Sequence, residues 1–131
     1  MFLDASAIVA ILAAEPDADE LAYKLRDAKR RLSSPLALYE AVLAISRVIR
    51  VPIEEADEIV SELMRRNSIM VVDISPDIGA GAIAAFKQFG KGRHKAGLNM
   101  GDCFSYACAK FHRVPILCKG NDFGKTDIKI V

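Results

Sequence analysis

The chain has 131 residues, 52% hydrophobic and 27% charged, with 18 basic residues against 17 acidic ones for a net charge of +1. That length suits a single domain over residues 1–131, with apolar content for a sizeable core, and the even spread of apolar residues excludes disorder. The balanced charge excludes a general basic coat for nucleic acid, and no apolar run reaches the roughly 18 residues that a membrane span needs. Residues 2–14 are apolar, but Asp4 interrupts them and no basic stretch precedes them, which reads as a mature, cytoplasmic start. Cys103, Cys108 and Cys118 form no close pair and read as buried small hydrophobes, not as a disulfide framework or a zinc site.

In chain order, residues 1–3 form a short apolar strand. Residues 5–14 form a nearly all-apolar, buried helix stopped by Glu15-Pro16. Residues 17–31 are amphipathic: Leu21, Ala22, Leu25, Ala28 and Leu32 share one face, and Lys29, Arg30 and Arg31 come last, as a helix dipole favours. Ser34-Pro35 supplies an N-cap and a first-position proline for a helix to about Arg50, and Pro52 restarts a helix to Asn67. Residues 68–74 read as a buried strand, and Ser75-Pro76 caps a helix up to Gly90. Residues 90–99 are irregular and basic, and a helix follows from Gly101 to about His112. Residues 115–118 and 127–131 read as the last strands. Strands separated by helices predict an α/β fold, a three-layer α/β/α sandwich around a mainly parallel sheet.

In such a fold, ligands gather beyond the carboxyl ends of the strands. Four acids occupy such positions. Asp4 follows the first strand, Glu40 lies in the helix opened by Ser34-Pro35, Asp102 sits in the first turn of a helix, and Asp122 follows the strand 115–118. Taken singly, Asp4, Asp102 and Asp122 are explained by caps and turns. Glu40 is not, because it interrupts an apolar helix, where an unpaired carboxylate is costly. Converging acids repel one another, and a hard divalent cation such as Mg²⁺, or Mn²⁺ in its place, removes that conflict. Such a site suits phosphodiester hydrolysis, since the ion stabilises phosphoryl charge and acidifies a bound water.

The segments that carry these acids resemble PIN-domain ribonucleases. Phe2-Leu3-Asp4-Ala5-Ser6-Ala7 looks like that family's opening, and Leu38-Tyr39-Glu40-Ala41 matches its second acid. Leu98-Asn99-Met100-Gly101-Asp102-Cys103-Phe104 matches its third, and Lys119-Gly120-Asn121-Asp122-Phe123 its fourth region, with Thr126-Asp127-Ile128 as the closing strand. The resemblance covers essentially the whole chain and is strongest to the compact bacterial VapC-type toxins. It implies a PIN-like sandwich, a Mg²⁺-dependent endoribonuclease, a homodimer, and inhibition by a VapB-type antitoxin whose tail enters the active-site groove. It implies Asp4, Glu40, Asp102 and Asp122 as catalytic residues, with Asp4 and Asp102 on the metal. The fourth acid is the family's most variable element, and Asp127 is a rival for it.

Ser6 and Asn99 are candidates to orient the acids or the substrate. Lys91, Arg93, His94 and Lys95 stand shortly before Asp102, where cations would hold RNA phosphates, although a solvated loop explains them as well. His112 and Arg47, Arg50, Arg65 and Arg66 lie near helix ends and read as surface. Gly79-Ala80-Gly81-Ala82-Ile83-Ala84 fits a dinucleotide fingerprint in letters only, because Ser75-Pro76 already starts the helix before it. Two other functions compete with the nuclease: a non-catalytic module acting within a DNA-binding complex, and a Rossmann-like nucleotide-binding protein.

Overall fold

A computed structural model describes all residues, 1–131. The elements run β1 (Phe2–Leu3), α1 (Ala5–Leu12), α2 (Ala18–Asp27), β2 (Leu32–Ser33), α3 (Pro35–Ile49) and α4 (Ile53–Arg66). They continue with β3 (Met70–Val71), α5 (Pro76–Phe89), α6 (Met100–Phe111), β4 (Ile116–Leu117) and a 3₁₀ turn, Phe123–Lys125. The four strands form one parallel sheet in the order β3-β2-β1-β4.

Each strand is only two residues long, yet the alternation of side chains is enough to build two cores. Phe2 and Ile116 point into one core, shared with α5 and α6 through Ile78, Phe89, Ala107 and Cys108. Leu3 and Leu117 point into the other, with Ile8, Leu25, Ile45 and Val60 of α1 to α4. Phe2, Leu3, Ile116 and Leu117 are all 1% exposed or less. Burying side chains of this size contributes about 1.5–3 kcal/mol each. The result is the expected α/β/α layering around a parallel sheet.

The strand order decides where the site lies. From β1 the chain steps outward through β2 to β3, then crosses to β4 on the other side of β1. The strand order therefore reverses between β1 and β4, and the carboxyl ends of those two parallel strands flank the crevice where α/β proteins bind ligands. Asp4 follows β1 and Lys119 stands two residues beyond β4.

Three expectations need correction. The amphipathic helix ends at Asp27, not Arg31, and Leu32 belongs to β2. Arg31 instead returns to cap from outside: its guanidinium donates to the carbonyls of Leu25 at 2.8 Å, Arg26 at 2.7 Å and Asn67 at 2.8 Å, closing the ends of α2 and α4. Of the apolar run around β3, Ile69 and Val72 are buried, but Met70 is 60% and Val71 45% exposed, because β3 is an edge strand. Residues 127–131 form no strand; Ile130 makes a single bridge to Ile116.

The capping signals hold. Ser34 Oγ accepts from the Ala37 N–H at 3.2 Å, and Ser75 Oγ from the Ile78 N–H at 3.3 Å. Gly79 and Gly81 fall inside α5, so no glycine cradle forms at the strand-to-helix turn. A Cβ on Gly81 would stand 3.3 Å from the Ala107 Cβ, so this glycine serves close packing of α5 on α6. No helix is long and apolar enough to cross a membrane.

Candidate active site

Asp4 is the N-cap of α1 and is 4% exposed. Its Oδ2 accepts the Ser6 N–H at 3.0 Å and the Ser6 hydroxyl at 2.5 Å. Ser6 Oγ in turn accepts the Lys119 N–H at 3.0 Å. One hydroxyl thus ties the end of β1 to the segment leaving β4 and fixes the rotamer of Asp4. The other carboxylate oxygen, Oδ1, has no protein hydrogen bond.

Asp102 is held by a reciprocal cap. It is the third residue of α6, and its Oδ2 accepts the Asn99 N–H at 3.0 Å while Asn99 Oδ1 accepts the Asp102 N–H at 2.9 Å. This arrangement satisfies two orphan N–H groups at the helix start and orients the carboxylate. Its second oxygen is again left without a protein donor. Asn99 thus holds the Asp102 carboxylate through one oxygen, as Ser6 holds that of Asp4.

Glu40 comes from the third direction, one and a half turns into α3. No Lys or Arg forms an ion pair with it. Its carboxylate occupies the space beside Gly101, where a Cβ would overlap both of its oxygens. Gly101 stands just before Asp102, so the Gly-Asp pair does two jobs: the glycine makes room for one acid and the next residue supplies another.

Asp4, Ser6, Glu40, Asn99 and Asp102 line one open cleft of about 640 Å³. Burial, then the charges of Asp4 and Asp102, push Glu40 up to about 6. Burial also raises Asp102 to about 6, reinforced by Asp4 and Asp122 and opposed by the hydrogen bond from Asn99. The buried Cys118 thiol is pushed up to about 12 by burial and by the field of Asp4, Asp102 and Asp122. Four acids from four segments therefore share one electrostatic field.

Their placement is not equal. Asp122 lies outside the cleft lining, exposed, and pairs with Lys125 at 3.3 Å. Asp127 is elsewhere altogether: it accepts from the Tyr106 hydroxyl and from Lys110 Nζ at 2.8 Å. The basic loop also stays out of the cleft. Lys91, Arg93 and Lys95 are exposed. The Arg93 guanidinium lies 5.5 Å over the Phe86 ring, and His94 packs edge-on against Phe89 while its Nδ1 accepts from the Ala96 N–H at 3.1 Å. The cations that do line the cleft are Arg47 and Lys119, together with the aromatic ring of Tyr39. Sequence reading missed all three. The seven-residue spacing from Glu40 to Arg47, two helical turns on one face, was the available signal.

The donor set fits a hard divalent cation. It is all oxygen, and its carboxylates carry unneutralised repulsion together with free lone pairs. Mg²⁺ binds one or two carboxylates directly and keeps several waters, so Asp4 and Asp102, each with a free oxygen, would be enough to hold it.

The PIN-domain family pattern matches residues 1–129. A VapC ribonuclease of Rhizobium meliloti is 40% identical, over 97% of this chain and 98% of its own. The ribonuclease VapC30 of Mycobacterium tuberculosis is 39% identical, over 100% of this chain and 98% of its own. In fold, the chain superposes on the sarcin–ricin-loop-cleaving toxin VapC20 of M. tuberculosis with a TM-score of 0.78 at 14% identity, covering 99% of this chain and 97% of that one. A chain of a toxin–antitoxin complex from Klebsiella pneumoniae gives 0.72 at 14% identity, covering 99% and 95%. With full-length identity of this order and an acidic cleft at the switch point of its sheet, the chain belongs to the PIN-domain family as a VapC-type ribonuclease toxin.

Proposed function

We propose that the chain is a Mg²⁺-dependent endoribonuclease, with Mn²⁺ able to replace Mg²⁺, acting in the cytoplasm as the toxin of a VapBC-type pair. The observation that supports this reading is the convergence of Asp4 after β1, Glu40 within α3 and Asp102 in the first turn of α6 on one cleft without a neutralising partner.

Asp4 and Asp102 are the metal ligands in this reading, each steadied through one oxygen by Ser6 or Asn99 and open at the other. When bound, the ion supplies a Lewis acid for the phosphoryl oxygens and a water of lowered pKa. Glu40, with its carboxyl pushed up to about 6 and free of protein partners, is placed to accept the proton that the attacking water gives up. Asp122 adds negative field from the rim. Lys91, Arg93 and Lys95 would meet RNA only beyond the cleft, and His94 serves the loop's own structure.

Two partners follow from the same reading. The relation in fold to a chain of a toxin–antitoxin complex supports a VapB-type antitoxin that blocks the cleft. The exposed Val48, Ile49 and Ile53, where α3 meets α4, supply apolar surface for a homodimer.

Asp102→Asn tests the catalytic reading. The amide oxygen still accepts the Asn99 N–H, so the helix cap and the fold are retained. RNA cleavage in Mg²⁺ or Mn²⁺ is expected to fall to background, and full cleavage by this variant overturns the assignment.

A further inference from the structure

The acids of the cleft repel the polyanion that the enzyme is to cut. A cation must therefore hold the strand beside them. Two cationic side chains line the cleft. Lys119 is occupied, since its ammonium pairs with Glu15 across the mouth. Arg47 is exposed and pairs with no carboxylate. Its position in the last turn of α3 would complement the helix dipole, but that role does not need it on the cleft side.

Arg47 is also not alone there. Tyr39, Leu43 and Arg47 all line the cleft at successive four-residue steps, a stripe along α3 beside Glu40. Each step advances about 6 Å. Tyr39 is 62% exposed, an aromatic face that the core does not use. An aromatic plane next to the carboxylates and an unpaired guanidinium two turns further on form the pair of features that binds single-stranded nucleic acid: a stacking platform and a phosphate contact.

We propose that this stripe is the single-strand RNA subsite of the enzyme, with Tyr39 stacking a base beside the scissile phosphate and Arg47 gripping the backbone further along. This assignment rests on the ribonuclease reading above. It implies a substrate that presents an unpaired loop or end, because a base inside a duplex cannot reach Tyr39. It also places strand recognition on α3 rather than on the basic loop between α5 and α6.

The test uses the full-length protein and a short single-stranded oligoribonucleotide that the wild-type protein cleaves in Mn²⁺. Tyr39→Ala and Arg47→Gln are each expected to raise KM about tenfold with little change in kcat, while Tyr39→Phe and Arg47→Lys recover most of the loss. For binding without cleavage, the same changes are placed on an Asp102→Asn background. There, Arg47→Gln is expected to flatten the dependence of log affinity on log salt by about 0.7, one single-strand phosphate contact. An intact duplex of the same sequence should bind weakly and respond to neither change. Wild-type KM and salt slope in both variants overturn the subsite and leave the stripe to a protein partner. A lower melting temperature in Arg47→Gln with unchanged KM reduces Arg47 to its dipole role and also overturns it. Failure of the wild-type protein itself to cleave any RNA with metal refutes the ribonuclease reading instead, so the two failures are distinct.

Discussion

Asp102 and Asp127 are both aspartates at the edge of α6, and their surroundings are opposite. Asp127 is satisfied on both oxygens, by Tyr106 and Lys110, and its carboxyl is held below the usual range by those bonds. Asp102 has one oxygen in a helix cap and no cation beside it, and burial, then the charges of Asp4 and Asp122, raise its carboxyl to about 6. The first is a tether between α6 and the chain's end. The second keeps one oxygen open to the cleft, with no cation paired to it. A carboxylate with its partners is structure; carboxylates kept apart from partners and close to one another are a site.

The contrast is broken most sharply by exchanging the same atoms at both places. Asp102→Asn is expected to abolish cleavage, whereas Asp127→Asn should leave the rate of RNA cleavage within about twofold of wild type. Loss of cleavage in both would mean that the tether is needed for activity as much as the cleft, and the contrast between the two acids would fail.

Gly101→Ala comes next. Alanine favours a helix over glycine by up to about 1 kcal/mol, so the fold is not weakened. The added methyl overlaps the Glu40 carboxylate, which sits at the end of a flexible side chain and moves away. A displacement of that kind at a reacting centre is worth on the order of a hundredfold in rate. Activity should fall while the melting temperature holds or rises. A variant that cuts RNA normally would show that Glu40 does not need its place beside Gly101.

The repulsion itself should be visible in stability without metal. Glu40 and Asp102 have native values near 6, above the ordinary carboxylate range they take when unfolded. Between those values the native state binds more protons than the unfolded one, so unfolding free energy decreases as pH rises through about 4 to 6. In chelator, Glu40→Gln should therefore raise the melting temperature at pH 7 and lose that gain near pH 4. The gain is of order 1 kcal/mol at most, because half-exposed groups are screened. A variant less stable than wild type at pH 7 would contradict the repulsion.

The smallest effect belongs to the tether. The Lys110–Asp127 pair is about half-exposed, so Asp127→Asn should cost no more than about 1 kcal/mol by denaturant titration. Its sign is opposite to that of the cleft. Asp127's lowered carboxyl contributes stability above its unfolded value and loses it as pH falls through the native one.

Part of this was legible in the sequence because it is local. Ser34-Pro35 and Ser75-Pro76 cap where expected, and Asp4 and Asp102 occupy helix starts by the same chemistry. Glu40 stood out because an apolar helix had no reason to carry it. What was missed depends on distance along the chain. Leu32-Ser33 is too short to show a two-residue period, so the helical face of residues 17–31 ran over it. Met70 and Val71 read as buried because edge position is a property of the sheet, not of the segment. Proximity in sequence to Asp102 suggested that the basic loop borders the site, yet its rings and turns pack it against α5. Arg47 looked like a helix-end charge, and only the assembled cleft shows which side of α3 it lines.

The central claim is that Asp4 and Asp102 share one divalent ion. Crystals of the protein soaked in Mn²⁺ and measured at the manganese absorption edge test it directly. An anomalous peak is expected about 2.1 Å from a free oxygen of Asp4 and of Asp102, with waters completing the shell and Glu40 alongside. A crystal that takes up Mn²⁺ only elsewhere, with this cleft holding none, would contradict it.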